Sequence, residues 1–117
     1  MITANILYID DDEDLCKVFK DSFEDAVKNV KVAVTKTEAI QAIKTCNFDV
    51  ILIDYNLKGI KGDQLKLEIM EEISTRPKAY ILVTGDSTQK ESQLFDFTLH
   101  KPFNLNKAHT LIKKILE

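Results

Sequence analysis

Short apolar runs that end abruptly in aspartate leave a chain few ways to fold. Val50 to Ile53 reads Val-Ile-Leu-Ile and stops at Asp54, and Ile6 to Ile9 stops at Asp10-Asp11-Asp12. A run that short and wholly apolar fits a strand covered on both faces, as in a parallel sheet. Between such runs the period changes. Leu15, Phe19 and Phe23, continued by Ala26 and Val27, recur at helical spacing; Val30, Val32 and Val34 then alternate with Lys31 and Ala33. Thr35 and Glu38 form a capping box ahead of a helix carrying Ala39, Ile40 and Ile43. Past a turn region at Gly59 and Gly62, Leu65, Ile69 and Ile73 return to the helical period until Pro77 blocks it. Ala79 to Val83 is again a fully apolar strand, Phe95 to Leu99 reads as a fifth, and an Asn104 cap opens a last helix through Leu105, Ala108, Ile112 and Ile115.

Strands alternating with helices call for right-handed crossovers and helices on both faces of a parallel sheet. The expected fold is therefore a doubly wound α/β domain with a five-stranded parallel sheet, one unit filling residues 1–117. Phe95 and Phe97, two apart, are expected to share a core face, and Met70 to fill core space. Gly85 to Leu94 holds one large apolar residue, so a polar loop or at most one helical turn is expected there.

With 44% hydrophobic and 30% charged residues the chain suits a packed core rather than disorder. Its longest apolar run, Ala79 to Val83, is five residues, against the roughly 18 a membrane helix needs. No secretory leader is apparent at Met1-Ile2-Thr3, which leads to the expectation of a cytoplasmic protein. Sixteen basic against 19 acidic residues, a net charge of −3, with no Lys/Arg cluster, disfavours nucleic acid as a partner. Cys16 and Cys46, with no partner at metal-ligand spacing, read as reduced structural thiols, and His100 and His109 as structural or exposed.

In open α/β sheets, ligands sit outside the carboxyl ends of the strands. The residues there are Asp10, Asp11 and Asp12, then Asp54, Thr84 and Lys101. Carboxylates converging from separate strands repel unless a cation lies between them, and a hard divalent ion with oxygen ligands, Mg²⁺, meets that need. Lys101 adds a point positive charge, the Thr84 hydroxyl can donate to a phosphoryl oxygen, and Asp54 is then a reasonable nucleophile for forming an aspartyl phosphate.

These pieces, Ile6 to Asp12, Val50 to Asp54, the Leu57 to Gly62 loop, Leu82-Val83-Thr84-Gly85 and Lys101-Pro102-Phe103, resemble the receiver domain of two-component response regulators, in order and over essentially the whole chain. The resemblance implies a flavodoxin-like sheet of order 2-1-3-4-5. It implies that Asp54 accepts a phosphoryl group from a histidine kinase, a phosphotransfer protein or a small donor, and that the chain then switches binding to a downstream protein. It further implies that Asp11, Asp54 and the backbone carbonyl of Asn56 hold Mg²⁺, with Asp10 helping through a water. Thr84 and Lys101 would bind the phosphoryl oxygens, and the Lys101-Pro102 bond would be cis. Asn56 and Asp86 stand where family members tune the water that hydrolyses the phosphate, and they look like those of chemotaxis-type regulators with short-lived marks.

The chain also departs from the family. Thr98 stands three before Lys101, where an aromatic is usual, and Phe97 is displaced by one. Lys58 replaces a frequent Pro. The Thr84 to Lys101 interval is short by more than a helical turn, so the fourth helix is expected to be shortened or absent and the output surface to differ from the usual one. Taken singly, the features have plainer readings. Asp12, Glu13 and Asp14 suit a helix cap, Asp54 a turn, Thr84 a turn residue and Lys101 a surface lysine. Two other functions use parts of the pattern. A haloacid-dehalogenase-type phosphatase would take Asp10 as nucleophile in an Asp-x-Asp pattern with Asp12, although Asp14 stands where Thr or Val belongs. A pseudo-receiver would bind its partner independently of phosphorylation.

Overall fold

The computed structural model describes residues 2–85 and 94–117. In chain order the elements are β1 (Ile2–Ile9), α1 (Glu13–Phe23), β2 (Val27–Ala33), α2 (Lys36–Thr45), β3 (Val50–Asp54), β4 (Asn56–Leu57), β5 (Ile60–Lys61), α3 (Gly62–Glu72), β6 (Ala79–Thr84), β7 (Phe97–His100) and α4 (Leu105–Leu116). Five strands form one sheet in the order β2-β1-β3-β6-β7, and β4 and β5 form a separate small hairpin. Every pairing in the large sheet is parallel. Numbered within that sheet, the order is the expected 2-1-3-4-5.

Every residue of β3 and β6 is buried, which is why these segments carry no polar alternation. Ile6, Tyr8, Leu52 and Ile81 face α1 and α4, meeting Cys16, Phe19, Phe23, Ala108 and Ile112. Leu7, Ile9, Ile51, Ile53 and Leu82 face α2 and α3, meeting Ala39, Ile43, Leu65 and Ile69. Each such fully buried Leu, Ile or Phe contributes about 1.5–3 kcal/mol of burial free energy. The caps lie where the sequence places them. Asp12 accepts from the Leu15 N–H, Thr35 from that of Glu38, and Asn104 from that of Asn106, while Glu38 reaches back to accept from Val34.

Several boundaries differ from the sequence reading. Helix α1 ends at Phe23, and Val27 already belongs to β2; the apolar period runs on because both elements feed the same core. Strand β1 starts at Ile2, ahead of the apolar run, because Ile2 pairs with Val27 and donates its N–H to the Ala26 carbonyl at 2.9 Å. Phe95 and Phe97 do not share a core face. Phe95 precedes β7 and is 8% exposed against the α2 and α3 side, whereas Phe97 opens the edge strand, pairs with Ile81 and is 42% exposed. Met70 is exposed on α3 rather than filling the core. The expectations for the polar stretch between Gly85 and Leu94, for a shortened or absent fourth helix and for Asp86 rest on residues 86–93, outside the described residues.

The β4–β5 hairpin turns at Gly59, whose φ of 81° suits glycine. It returns the chain so that Gly62 donates its N–H to the Tyr55 carbonyl at 2.8 Å. A Cβ at Gly62 would lie 2.6 Å from the Asp54 carbonyl oxygen and 2.9 Å from Tyr55 Cα. Both neighbours are backbone and cannot swing aside, so this glycine sets how closely α3 seats beneath Asp54. Gly62→Ala is expected to cost about 1–3 kcal/mol, read as a lower urea midpoint. An unchanged midpoint contradicts the close approach.

Candidate functional site

Parallel register carries four sequence-predicted residues to one rim. Ile9 pairs with Ile53, so Asp10 and Asp54 follow side by side. Thr84 ends β6 opposite His100, and the Lys101 N–H donates to the Thr84 carbonyl at 2.7 Å. Asp10 is fully buried, Thr84 is fully buried and Asp54 is 5% exposed. Asp11 stands half-buried beside them, and Asp10, Asp11 and Asp54 each offer a carboxylate oxygen within 4.8 Å of the others.

Lys101 balances this charge. Its Nζ lies 2.7 Å from Asp10 Oδ2 and 3.3 Å from Asp54 Oδ1, with the side chain 23% exposed. Burial, and after it the charge of Asp10, pushes the Asp54 carboxyl above its ordinary range despite the opposing pull of Lys101. Burial works against the ammonium of Lys101, but its bond to Asp10 and the charges of Asp10 and Asp54 outweigh that and raise its pKa. Three carboxylates facing one ammonium leave excess negative charge on hard oxygen donors. That donor set fits a divalent ion such as Mg²⁺.

Asp10 is also held from below. Its Oδ1 accepts from the Asp12 N–H at 3.0 Å, and its Oδ2 accepts from the Tyr8 hydroxyl at 2.9 Å. Burial and the neighbouring Asp10 charge push the Tyr8 phenol far above its usual range, so it stays a donor. The Cys16 thiol donates to the Asp10 carbonyl at 3.2 Å and is pushed up to about 12 by burial and then by Asp10, as suits a reduced structural thiol. Sequence reasoning missed Tyr8. The available signal was a phenol inside a run that must be buried on both faces, since a buried Tyr hydroxyl needs a partner.

Asn56 opens β4 with its side chain exposed, its Oδ1 accepting from Lys61 Nζ at 2.9 Å. The Lys61 ammonium also sits 5.4 Å from the centre of the Tyr55 ring. His109 is structural, stacked on Phe23 at 3.8 Å and bonded to Ser22 at 2.7 Å, and His100 is exposed. Thr98 is half-buried on β7. The Lys101-Pro102 bond is cis.

A doubly wound sheet whose strand ends gather three aspartates, a threonine and a lysine defines a receiver domain. The chain matches the response regulator receiver domain over residues 6–113 and belongs to that family, a regulatory class of two-component signalling. Among its relatives, an NtrX-like response regulator of Rickettsia bellii is 27% identical over 125 residues, spanning 100% of this chain and 26% of that protein. The two-component response regulator ARR21 of Arabidopsis thaliana is 26% identical over 80% of this chain and 15% of its own length. The chain thus spans about a quarter or less of these relatives. Among solved structures, a CheY-like receiver domain from Methanospirillum hungatei is 27% identical with a TM-score of 0.84, covering 97% of this chain and 94% of that one. TrrA of Thermotoga maritima, solved in complex with Mg(2+)-BeF, shares the fold at a TM-score of 0.80 and 23% identity, over 97% of this chain and 99% of its own. Among the described residues no helix is long and apolar enough to cross a membrane.

The charge balance makes opposite predictions for two substitutions. Without divalent ions, Lys101→Met should lower the melting temperature and Asp54→Asn should raise it, each by about 3–6 °C, equivalent to roughly 1 kcal/mol for a domain of this size. The sign for Asp54 follows from its raised pKa. An ionised carboxylate that the fold disfavours lowers stability as pH rises through its titration, so the gain in the Asn variant fades as pH falls toward the ordinary 3.8. Melting curves across pH check this, and a destabilised Asp54→Asn variant contradicts it.

Proposed function

We propose that this chain is a phosphorylation-controlled switch in which Asp54 accepts a phosphoryl group from the phosphohistidine of a histidine kinase or phosphotransfer protein, or from a small donor. The supporting observation is Lys101, whose ammonium spans the carboxylates of Asp10 and Asp54 at a buried rim. In the transfer, an Asp54 oxygen bonds to phosphorus as the bond from phosphorus to the donor's nitrogen or oxygen breaks, and the donor leaves with that electron pair. Asp11, Asp54 and the Asn56 backbone carbonyl would hold Mg²⁺, with Asp10 assisting through a water. When bound, the ion supplies positive charge that neutralises the phosphoryl oxygens. Lys101 gives up its contacts with Asp10 and Asp54 for a phosphoryl oxygen, and the Thr84 hydroxyl donates to another.

The mark adds about 1.5–2 negative charges at neutral pH. Re-pairing Thr84 and Lys101 with it biases the surrounding loops and changes the binding of a downstream protein. With Thr98 where the family usually has an aromatic, this chain relays the change without a ring at that position. We place the switch in the cytoplasm as one receiver unit over residues 1–117, with protein rather than nucleic-acid partners.

The phosphatase reading is weaker, because the Asp10 carboxylate is fully buried and accepts from Tyr8, Asp12 and Lys101, a poor state for a nucleophile. Incubation with acetyl phosphate and Mg²⁺, followed by intact mass spectrometry, tests the proposal. The expected result is one acid-stable, base-labile phosphoryl group, absent from Asp54→Asn and when Mg²⁺ is chelated. An unmodified wild-type chain overturns the proposal and favours the phosphorylation-independent binding module.

A further inference from the structure

Tyr8 is the one residue of the Ile6 to Ile9 run with a polar side-chain atom, and it is fully buried. Its ring stacks on Phe19 at 4.3 Å and 15°, and Phe19 in turn stacks on Phe23 at 4.5 Å, so α1 clamps the phenol in one pose. From that pose the hydroxyl donates to Asp10 Oδ2. The other side-chain donor on Oδ2 among the described residues is Lys101, which is shared with Asp54. A shared lysine that moves onto a phosphoryl oxygen leaves Asp10; Tyr8 has no competing acceptor among the described residues and stays. Partners that orient metal-site carboxylates from outside the ligand shell tune affinity, and their loss typically weakens binding by about 10–100-fold.

We propose that Tyr8 is a positioning residue for the acidic pocket, holding the Asp10 carboxylate in the orientation that serves a divalent cation and keeping it there when Lys101 leaves. This rests on the metal reading given above. Calorimetric titration of the full chain with Mg²⁺ tests it. Tyr8→Phe removes the hydroxyl and keeps the ring; it should raise the Kd about tenfold, and the lost hydrogen bond to a buried carboxylate should also lower the Mg²⁺-free melting temperature by several degrees. The effect should also couple to Lys101. In a Lys101→Met background Tyr8 is the one remaining side-chain donor to Oδ2 among the described residues, so the same substitution should weaken binding at least about threefold more than it does alone, a non-additivity that a merely structural tyrosine does not produce.

The outcomes separate the two readings. A wild-type chain that takes up no Mg²⁺ overturns the metal reading itself. A wild type that binds beside a Tyr8→Phe variant with equal or tighter affinity overturns the role of Tyr8 and leaves the metal reading standing, as does a fall in melting temperature at constant Kd. Should Tyr8→Phe fail to fold, Phe19→Leu frees the ring and keeps the hydroxyl; it should weaken Mg²⁺ binding severalfold, and an unchanged Kd overturns the proposal.

Discussion

The pocket at the sheet rim depends on one ammonium. Two carboxylates that are nearly or wholly removed from water repel each other and lose hydration, and either effect alone costs several kcal/mol when uncompensated. Lys101 at 2.7 and 3.3 Å from Asp10 and Asp54 makes the arrangement tolerable, and Asp11 adds a third acid that it does not touch among the described contacts. The balance is incomplete by construction. That remaining negative charge on hard oxygen donors fits a divalent cation.

The rest of the fold sets the geometry of that deficit. Lys101 is placed by β7 pairing with β6 and by its own N–H on the Thr84 carbonyl. Asp54 is placed by β3 between β1 and β6, and the Gly62 contact lets α3 pack directly beneath it. Asp10 is fixed by Tyr8, whose ring is held by α1, and Asp12 both caps α1 and donates its N–H to Asp10. Changes in charge at the rim are therefore felt by α1, through Tyr8 and Asp12.

Much of this was legible in the sequence. Val50 to Ile53 and Ala79 to Val83 admit little besides buried parallel strands, and the side chains that end them are confined to one rim by strand polarity. The capping box at Thr35 and Glu38 and the cap at Asn104 are local signals, so they survive unchanged into the fold. What failed depended on long-range partners. Phe97 carries the same strand signal as Phe95, but exposure at an edge strand is decided by what packs beyond it. Asn5 enters β1 by pairing with Asn29 of β2, and its N–H is held by Asp49, 44 positions away. The Tyr8 to Asp10 bond spans two residues, yet its meaning appears only when Lys101 arrives from the far end of the chain.

The most direct test is fluorine-19 NMR of the protein with Mg²⁺ and beryllofluoride, a mimic of the phosphoryl group. A site built as described should give a bound fluoride resonance that requires both the metal and Asp54 and that weakens when Lys101 is replaced by Met. A bound resonance that persists in Asp54→Asn, or none at all in the wild-type chain, contradicts the account.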